Sequence, residues 1–169
     1  ESARASGSES KQLDSGTQQS LQELLGQQLF FDTELSNPPG QSCASCHSPE
    51  TGFKFPDSTF NQQYGVATGA IPSRVTSRSA PTIAYAAYVP HGPPFAQGLA
   101  GGDSLLGEAL FVGGLFWDGH ADDLEGQAQF PFLNPNEMNN LVNNLPAPEM
   151  VVQKVENGTY AELFRQVYG

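Results

Sequence analysis

The stretch "SCASCHSPE", residues 42–50, holds the only two cysteines of the chain, Cys43 and Cys46, and one of its three histidines, His47. Two thiols separated by two residues and followed at once by a histidine admit three chemistries: a redox disulfide, half of a zinc site, or covalent attachment of a haem. A structural zinc site takes four ligands, so His91 and His120 would both have to join the pair. A thioredoxin-like pair sits in a βαβ pattern, and none surrounds this segment. An ordinary disulfide across two residues is strained. Cys-x-x-Cys-His, by contrast, is the attachment signature of a c-type haem: the thiols add to the two vinyl groups and the histidine lies beneath the iron. With no further cysteine available, the counts favour haem, with Cys43 and Cys46 as tethers and His47 as the proximal iron ligand. Such attachment takes place outside the cytoplasm, so the chain reads as periplasmic or otherwise exported.

The rest of the composition agrees with a domain organised around something other than its own side chains. In 169 residues there are 18 glycines and 13 prolines, which suits short helices joined by irregular connections. Seven basic residues against 18 acidic ones give a net charge of −11. Nucleic acid is excluded as a natural partner, because binding it rests on Lys and Arg neutralising phosphates. A basic protein partner met by electrostatic steering fits the charge, and so does simple solubility. No apolar run approaches the roughly 18 residues a membrane span needs. The opening "ESARASGSESKQLDSG" is polar and small, and residues 1–16 read as a flexible mature N-terminus from which any signal peptide has gone.

From residue 17 to 169 the expectation is a mainly α, cytochrome c-like domain with long loops around one covalent haem. Thr17 or Ser15 can cap a helix through "QQSLQELLGQQLFF", with Leu21, Leu24, Leu25, Leu29 and Phe30 on one face. The cysteine segment starts a short helix that Pro49 and Gly52 end. Residues 53–116 show little periodicity and read as loop with a few helical turns. Asp122 is placed to cap a helix from Leu124 to Gln129, stopped by Pro131. Asn136 is placed to cap another through Asn144, Pro148 to begin a third, and Thr159 to cap the last, "YAELFRQVYG".

A c-type haem leaves function to the sixth iron position. A permanent side chain there makes an electron carrier; an open position under a proton-handling group makes a peroxide-reactive site. Met138, Met150, His91 and His120 are the candidate sixth ligands. Each has a plainer role: the methionines as core filler, His120 as a surface residue at a turn, His91 as part of a loop.

Five segments in order resemble a family: "LGQQLFFDTELS", "SCASCHSPETGF", "SRSAPTIAYAAY", "FWDGHADDLEGQAQFPFLNPNEM" and "YAELFRQVYG". They are similar to the N-terminal, peroxide-reactive haem domain of bacterial dihaem cytochrome c peroxidases and the related MauG proteins, over residues 22–169. The resemblance implies that Trp117 passes electrons between haems, that Gln127 is an amide in the peroxide pocket, and that Glu137 is the distal acid/base. It also implies hydrogen peroxide as substrate and a small electron-donor protein, a cytochrome or a cupredoxin, as partner. The chemistry accounts for those residue types: a carboxylate above an apolar face has a raised pKa and can take and return a proton. Without the resemblance, Glu137 would read as a solvated first-turn carboxylate.

The chain departs from the family pattern in four places. A second Cys-x-x-Cys-His, in a C-terminal domain, is missing from this sequence, so the expectation is one haem here and a second haem domain or chain, or an external donor, as electron source. No histidine stands between residues 48 and 80, where many of these peroxidases carry a displaceable ligand; Ile71 is roughly there. That points to an open iron, as in the MauG branch, or to a cap from elsewhere. Ser79 replaces the asparagine that usually contributes to an interdomain calcium site, so calcium is not carried over intact. His120 replaces a usual arginine, and residues 89–114 form a loop insertion that includes His91.

Overall fold

The computed structural model describes residues 15–56, 58–91 and 113–169. Residues 1–14 of the expected tail and most of the loop insertion lie outside them, while residues 15 and 16, expected in the tail, are helical. Helix α1 runs Ser15–Phe31, so Ser15 and Thr17 lie within it rather than capping it. Short helix α2 spans Cys43–Cys46, α3 Ser58–Tyr64 and α4 Leu124–Leu133. Strands β1, Leu141–Val142, and β2, Leu145–Pro146, form an antiparallel hairpin. Helices α5, Pro148–Asn157, and α6, Ala161–Tyr168, close the chain.

Of the apolar face read from α1, Leu21, Leu25 and Leu29 pack in the core, whereas Leu24 is exposed. Leu25, 1% exposed, joins Tyr160 and Val167 in a core flanked by Leu21, Leu29, Val155, Leu163 and Phe164. Helices α1 and α6 thus clamp together through i, i+4 spacing, and Tyr160 adds a hydroxyl donated to Asp32 Oδ2 at 2.5 Å. Pro148 starts α5 as expected, because the first turn needs no N–H from it.

Four expectations are corrected. Asp123, not Asp122, caps α4: its backbone is extended and its Oδ1 accepts from Gly126 N at 2.7 Å. Pro131 lies inside that helix, which continues to Leu133. So near the C-terminus it forfeits a single ladder bond, and its own carbonyl accepts from Met138 N at 3.0 Å. No helix follows Asn136. Instead Asn139, Asn143 and Asn144 take left-handed φ of 56°, 52° and 62°, and Asn143–Asn144 make the tight turn between β1 and β2. At α6 the N-cap position belongs to Tyr160 rather than Thr159, with no side-chain cap.

Residues 33–41 are fastened to the far end of the chain by a buried polar cluster. Asn140, fully buried, donates to Leu35 O at 2.8 Å and Phe132 O at 2.9 Å, and accepts from Lys154 Nζ at 2.9 Å. Lys154 also donates to Ser36 O at 2.6 Å, and desolvation lowers its pKa. We expect Asn140→Ala to cost about 2 kcal/mol, because it leaves Leu35 O without its donor and Lys154 without one acceptor, while Phe132 O keeps the Asn140 backbone N–H; the denaturant midpoint of the haem-loaded protein measures it.

Candidate haem site

Helix α2 is one turn long, which puts Cys43 and Cys46 on one side at i, i+3 and His47 at the C-cap with φ −120° and ψ 66°. Ser42 and Ser45 form a capping box at its start, Ser45 Oγ accepting from Ser42 N at 3.0 Å. Both cysteines are free thiols. Burial raises the pKa of Cys43; burial and then the nearby negative charge of Glu137 push Cys46 up to about 11. A catalytic or redox cysteine needs the opposite environment, one that favours thiolate. The pair is therefore poorly suited to disulfide exchange.

His47 is held by two backbone carbonyls. Its Nδ1 lies 3.1 Å from Phe53 O and 3.0 Å from Pro81 O. Only an N–H satisfies two carbonyl acceptors, so the proton sits on Nδ1 and the lone pair on Nε2. Burial lowers the pKa of His47, keeping the ring neutral. A neutral imidazole with a fixed tautomer is what a metal ligand requires. Proline 81 belongs to the Ala-Pro-Thr segment, so that segment serves the histidine through its backbone.

Glu137 sits in the turn after α4, and its charge is felt at Cys46. Asn134 builds that turn: its Oδ1 accepts from Asn136 N at 2.9 Å and its carbonyl from Glu137 N at 3.0 Å. The same side chain donates Nδ2 to Glu137 Oε1 at 2.9 Å. Burial raises the Glu137 pKa, and the Asn134 bond opposes that. With Oε1 engaged, Oε2 has no hydrogen-bond partner among the described residues.

A cavity of 340 Å³ lies between the cysteine segment and the 68–72 loop, lined by Gln41, Ser45, Phe55, Thr68 and Ala70 among others. Gln41, 7% exposed, spans the two walls, donating Nε2 to Thr68 O at 2.9 Å and to Cys46 Sγ at 3.5 Å.

Trp117 is 62% exposed, and its Nε1 donates to Ser79 O at 2.7 Å. Beside it Arg78 pairs with Asp118 at 2.7 Å, and His120 Nδ1 meets the other Asp118 oxygen at 2.5 Å. His120 and Arg78 hold the Asp118 carboxyl down at about 2. His120 stacks on Phe116 with ring centroids 4.1 Å apart. Gln127 is half-buried on α4. Among the described residues no hydrogen bond joins Trp117, Gln127 and Glu137; each hangs from its own segment.

Of the candidate sixth ligands, Met138 is 3% exposed and Met150 half-buried on α5. His91 and His120 are exposed. The sequence reading missed Gln41, Asn134 and Arg74. Asn134 had a signal, since an asparagine side chain closes a turn by bonding the backbone two residues on, as it does here at Asn136 N. The contacts of Gln41 and Arg74 join distant segments and carry no local signature.

The residues present fit a covalently held haem c. Two thiols share one face, a neutral imidazole offers Nε2, and among the described residues no cluster of three or more His, Cys, Asp or Glu side chains could hold a bare metal ion. No helix of the described residues is long and apolar enough to cross a membrane.

Comparison with known proteins places this geometry. The sequence model described as "Di-haem cytochrome c peroxidase" matches residues 20–169. The methylamine utilization protein MauG of Paracoccus denitrificans is 41% identical over 114 residues, covering 68% of this chain and 26% of that protein. The cytochrome c551 peroxidase of Nitrosomonas europaea is 29% identical over 145 residues, covering 86% and 33%. The diheme peroxidase BthA from Burkholderia thailandensis superposes with a TM-score of 0.69 at 30% identity, covering 93% of this chain and 33% of that one. The chain thus spans a quarter to a third of the length of these relatives. With the family pattern matched from residue 20 to residue 169 and the helical frame shared with a solved diheme peroxidase, the chain belongs to the di-haem cytochrome c peroxidase family.

Proposed function

We propose that this chain is the peroxide-reactive domain of a periplasmic di-haem peroxidase, carrying one haem c and reducing hydrogen peroxide to water with electrons from a small cytochrome or cupredoxin. One observation carries the reading: a half-buried carboxyl, Glu137, has one oxygen fixed by Asn134 and the other without a partner among the described residues, close enough to Cys46 for its charge to be felt there. When bound, the haem supplies the iron centre at which the O–O bond is cleaved and electrons are delivered.

The chain's own residues do the rest. His47, its Nδ1 proton committed to Phe53 and Pro81, offers Nε2 on the proximal side. Glu137 takes a proton from the near peroxide oxygen at Oε2 and returns it to the departing one, so that water rather than hydroxide leaves. Gln127 orients peroxide without competing for that proton. Trp117, exposed and fixed through Ser79 O, is where electrons enter from a second haem domain or chain. Two electrons and two protons are consumed for each peroxide, giving two waters.

A second reading, oxidation of a protein side chain, is favoured by the similarity to MauG. Steady-state turnover separates the two. The haem-loaded, full-length protein should oxidise reduced cytochrome or cupredoxin on addition of peroxide, two donors per peroxide. Peroxide-dependent oxidation of a protein substrate with no donor turnover would favour the second.

A further inference from the structure

The turn that carries Glu137 is not held by α4 alone. The loop of residues 67–76 folds back on itself, with Thr76 N donating to Ala67 O at 2.8 Å, Ala67 N to Thr76 Oγ1 at 2.9 Å, and Gly69 N to Arg74 O at 2.9 Å. Its inner edge lies against residues 134–139. Ala70 N donates to Glu137 O at 2.8 Å. Gly69 approaches so closely that a Cβ there would stand 2.3 Å from Asn136 O. Arg74 reaches over the top: Nη1 donates to Pro135 O at 3.1 Å and to Asn139 Oδ1 at 3.0 Å. These acceptors lie two residues before and two residues after Glu137. Asn139 has left-handed φ and in turn donates Nδ2 to Asn37 O at 2.6 Å. At its other side the loop is tied to the tethering segment by Gln41, through Thr68 O and Cys46 Sγ.

The geometry points to Arg74 as a positioning residue that fixes the Glu137 carboxyl relative to the haem tether, by bracketing its turn from the 67–76 loop. This rests on Glu137 acting as the acid/base. The guanidinium acts by geometry rather than by charge: burial and Asn134, not Arg74, are what move Glu137. Asn134 braces this turn from within, and Arg74 is what ties the residues on both sides of Glu137 to the 67–76 loop. Misplacement by about 1 Å costs roughly 100-fold in a proton-transfer geometry.

The test compares four haem-loaded, full-length proteins: wild type, Arg74→Met, Glu137→Gln and the double variant. The second-order rate with hydrogen peroxide is measured together with backbone amide exchange over residues 134–140. Arg74→Met should slow the reaction roughly 10- to 100-fold and speed exchange in the 134–140 segment while α6 is unchanged. In the Glu137→Gln background it should change the rate less than about twofold, because only the placement of the carboxyl is lost. Arg74→Lys keeps a donor, should restore most of the rate, and provides the same comparison where the Met variant folds poorly. An Arg74→Met rate within twofold of wild type, or an equal slowing with and without Glu137, would overturn the assignment. A Glu137→Gln protein as fast as wild type would sink the acid/base reading itself, a distinct result.

Discussion

Glu137→Gln in the haem-loaded protein should lower the rate of reaction with hydrogen peroxide by about 10² to 10⁴, the span that a positioned general acid/base supplies. The substitution is nearly isosteric. Asn134 can still meet the side chain at Oε1, so the turn, the tethers and His47 stay in place and the loss is chemical. The pH dependence gives the same prediction a second face. Glu137 must be ionised to take the first proton, and burial raises its pKa above the ordinary carboxylate value. The wild-type rate should therefore rise with pH through an ionisation above the usual carboxylate range, and the Gln variant should lack that limb. Stopped-flow measurement from about pH 4 to 8 decides it. A variant with wild-type rates, or one that keeps the limb, removes Glu137 from the chemistry.

Replacing both tethers, Cys43→Ser with Cys46→Ser, should abolish covalent haem entirely. The intact mass would then equal the polypeptide alone, whereas wild type exceeds it by one haem. A tethered haem stays with the chain on unfolding but packs against apolar side chains only in the folded state, so its loss should lower the melting temperature by at least roughly 10 °C. The environment of the two thiols sets the direction of this prediction. Both are raised in pKa by burial, so neither is tuned to form a disulfide or attack a substrate, and an unattached pair has no evident second use. Retention of covalent haem in the double variant would break the assignment of the tethers.

What the sequence disclosed and what it hid divide along the range of the interactions. Cys43, Cys46 and His47 are legible because the thioether attachment proposed for them would need all three within one helical turn. Helix α1 and the start of α5 are legible because their signals, a spaced apolar face and a proline at the first turn, are local. The segment after Glu137 is not: its pattern allows a helix, but asparagine side chains compete for the backbone and accept left-handed φ, so a turn and hairpin form instead. Pro131 misleads for a related reason, since a proline near a helix end removes little. The site's frame was hidden altogether. Arg74 meets Pro135 and Asn139 across 61 and 65 residues, and Gln41 meets Thr68 across 27. Periodicity and spacing say nothing about such pairs. The fold brings them together, and the resemblance to a family supplied roles for Glu137, Gln127 and Trp117 that the residues alone did not.

The central claim is that a c-type haem held by Cys43, Cys46 and His47 faces Glu137 across a reactive sixth position. The direct measurement is the ferric EPR and optical spectrum of the haem-loaded protein near neutral pH, before and after one equivalent of hydrogen peroxide. The account predicts a high-spin ferric signal that peroxide consumes within the mixing time. A wholly low-spin iron in both oxidation states, inert to peroxide, would contradict it, and would mean that a side chain such as Met138, Met150 or His91 holds the sixth position in an electron carrier.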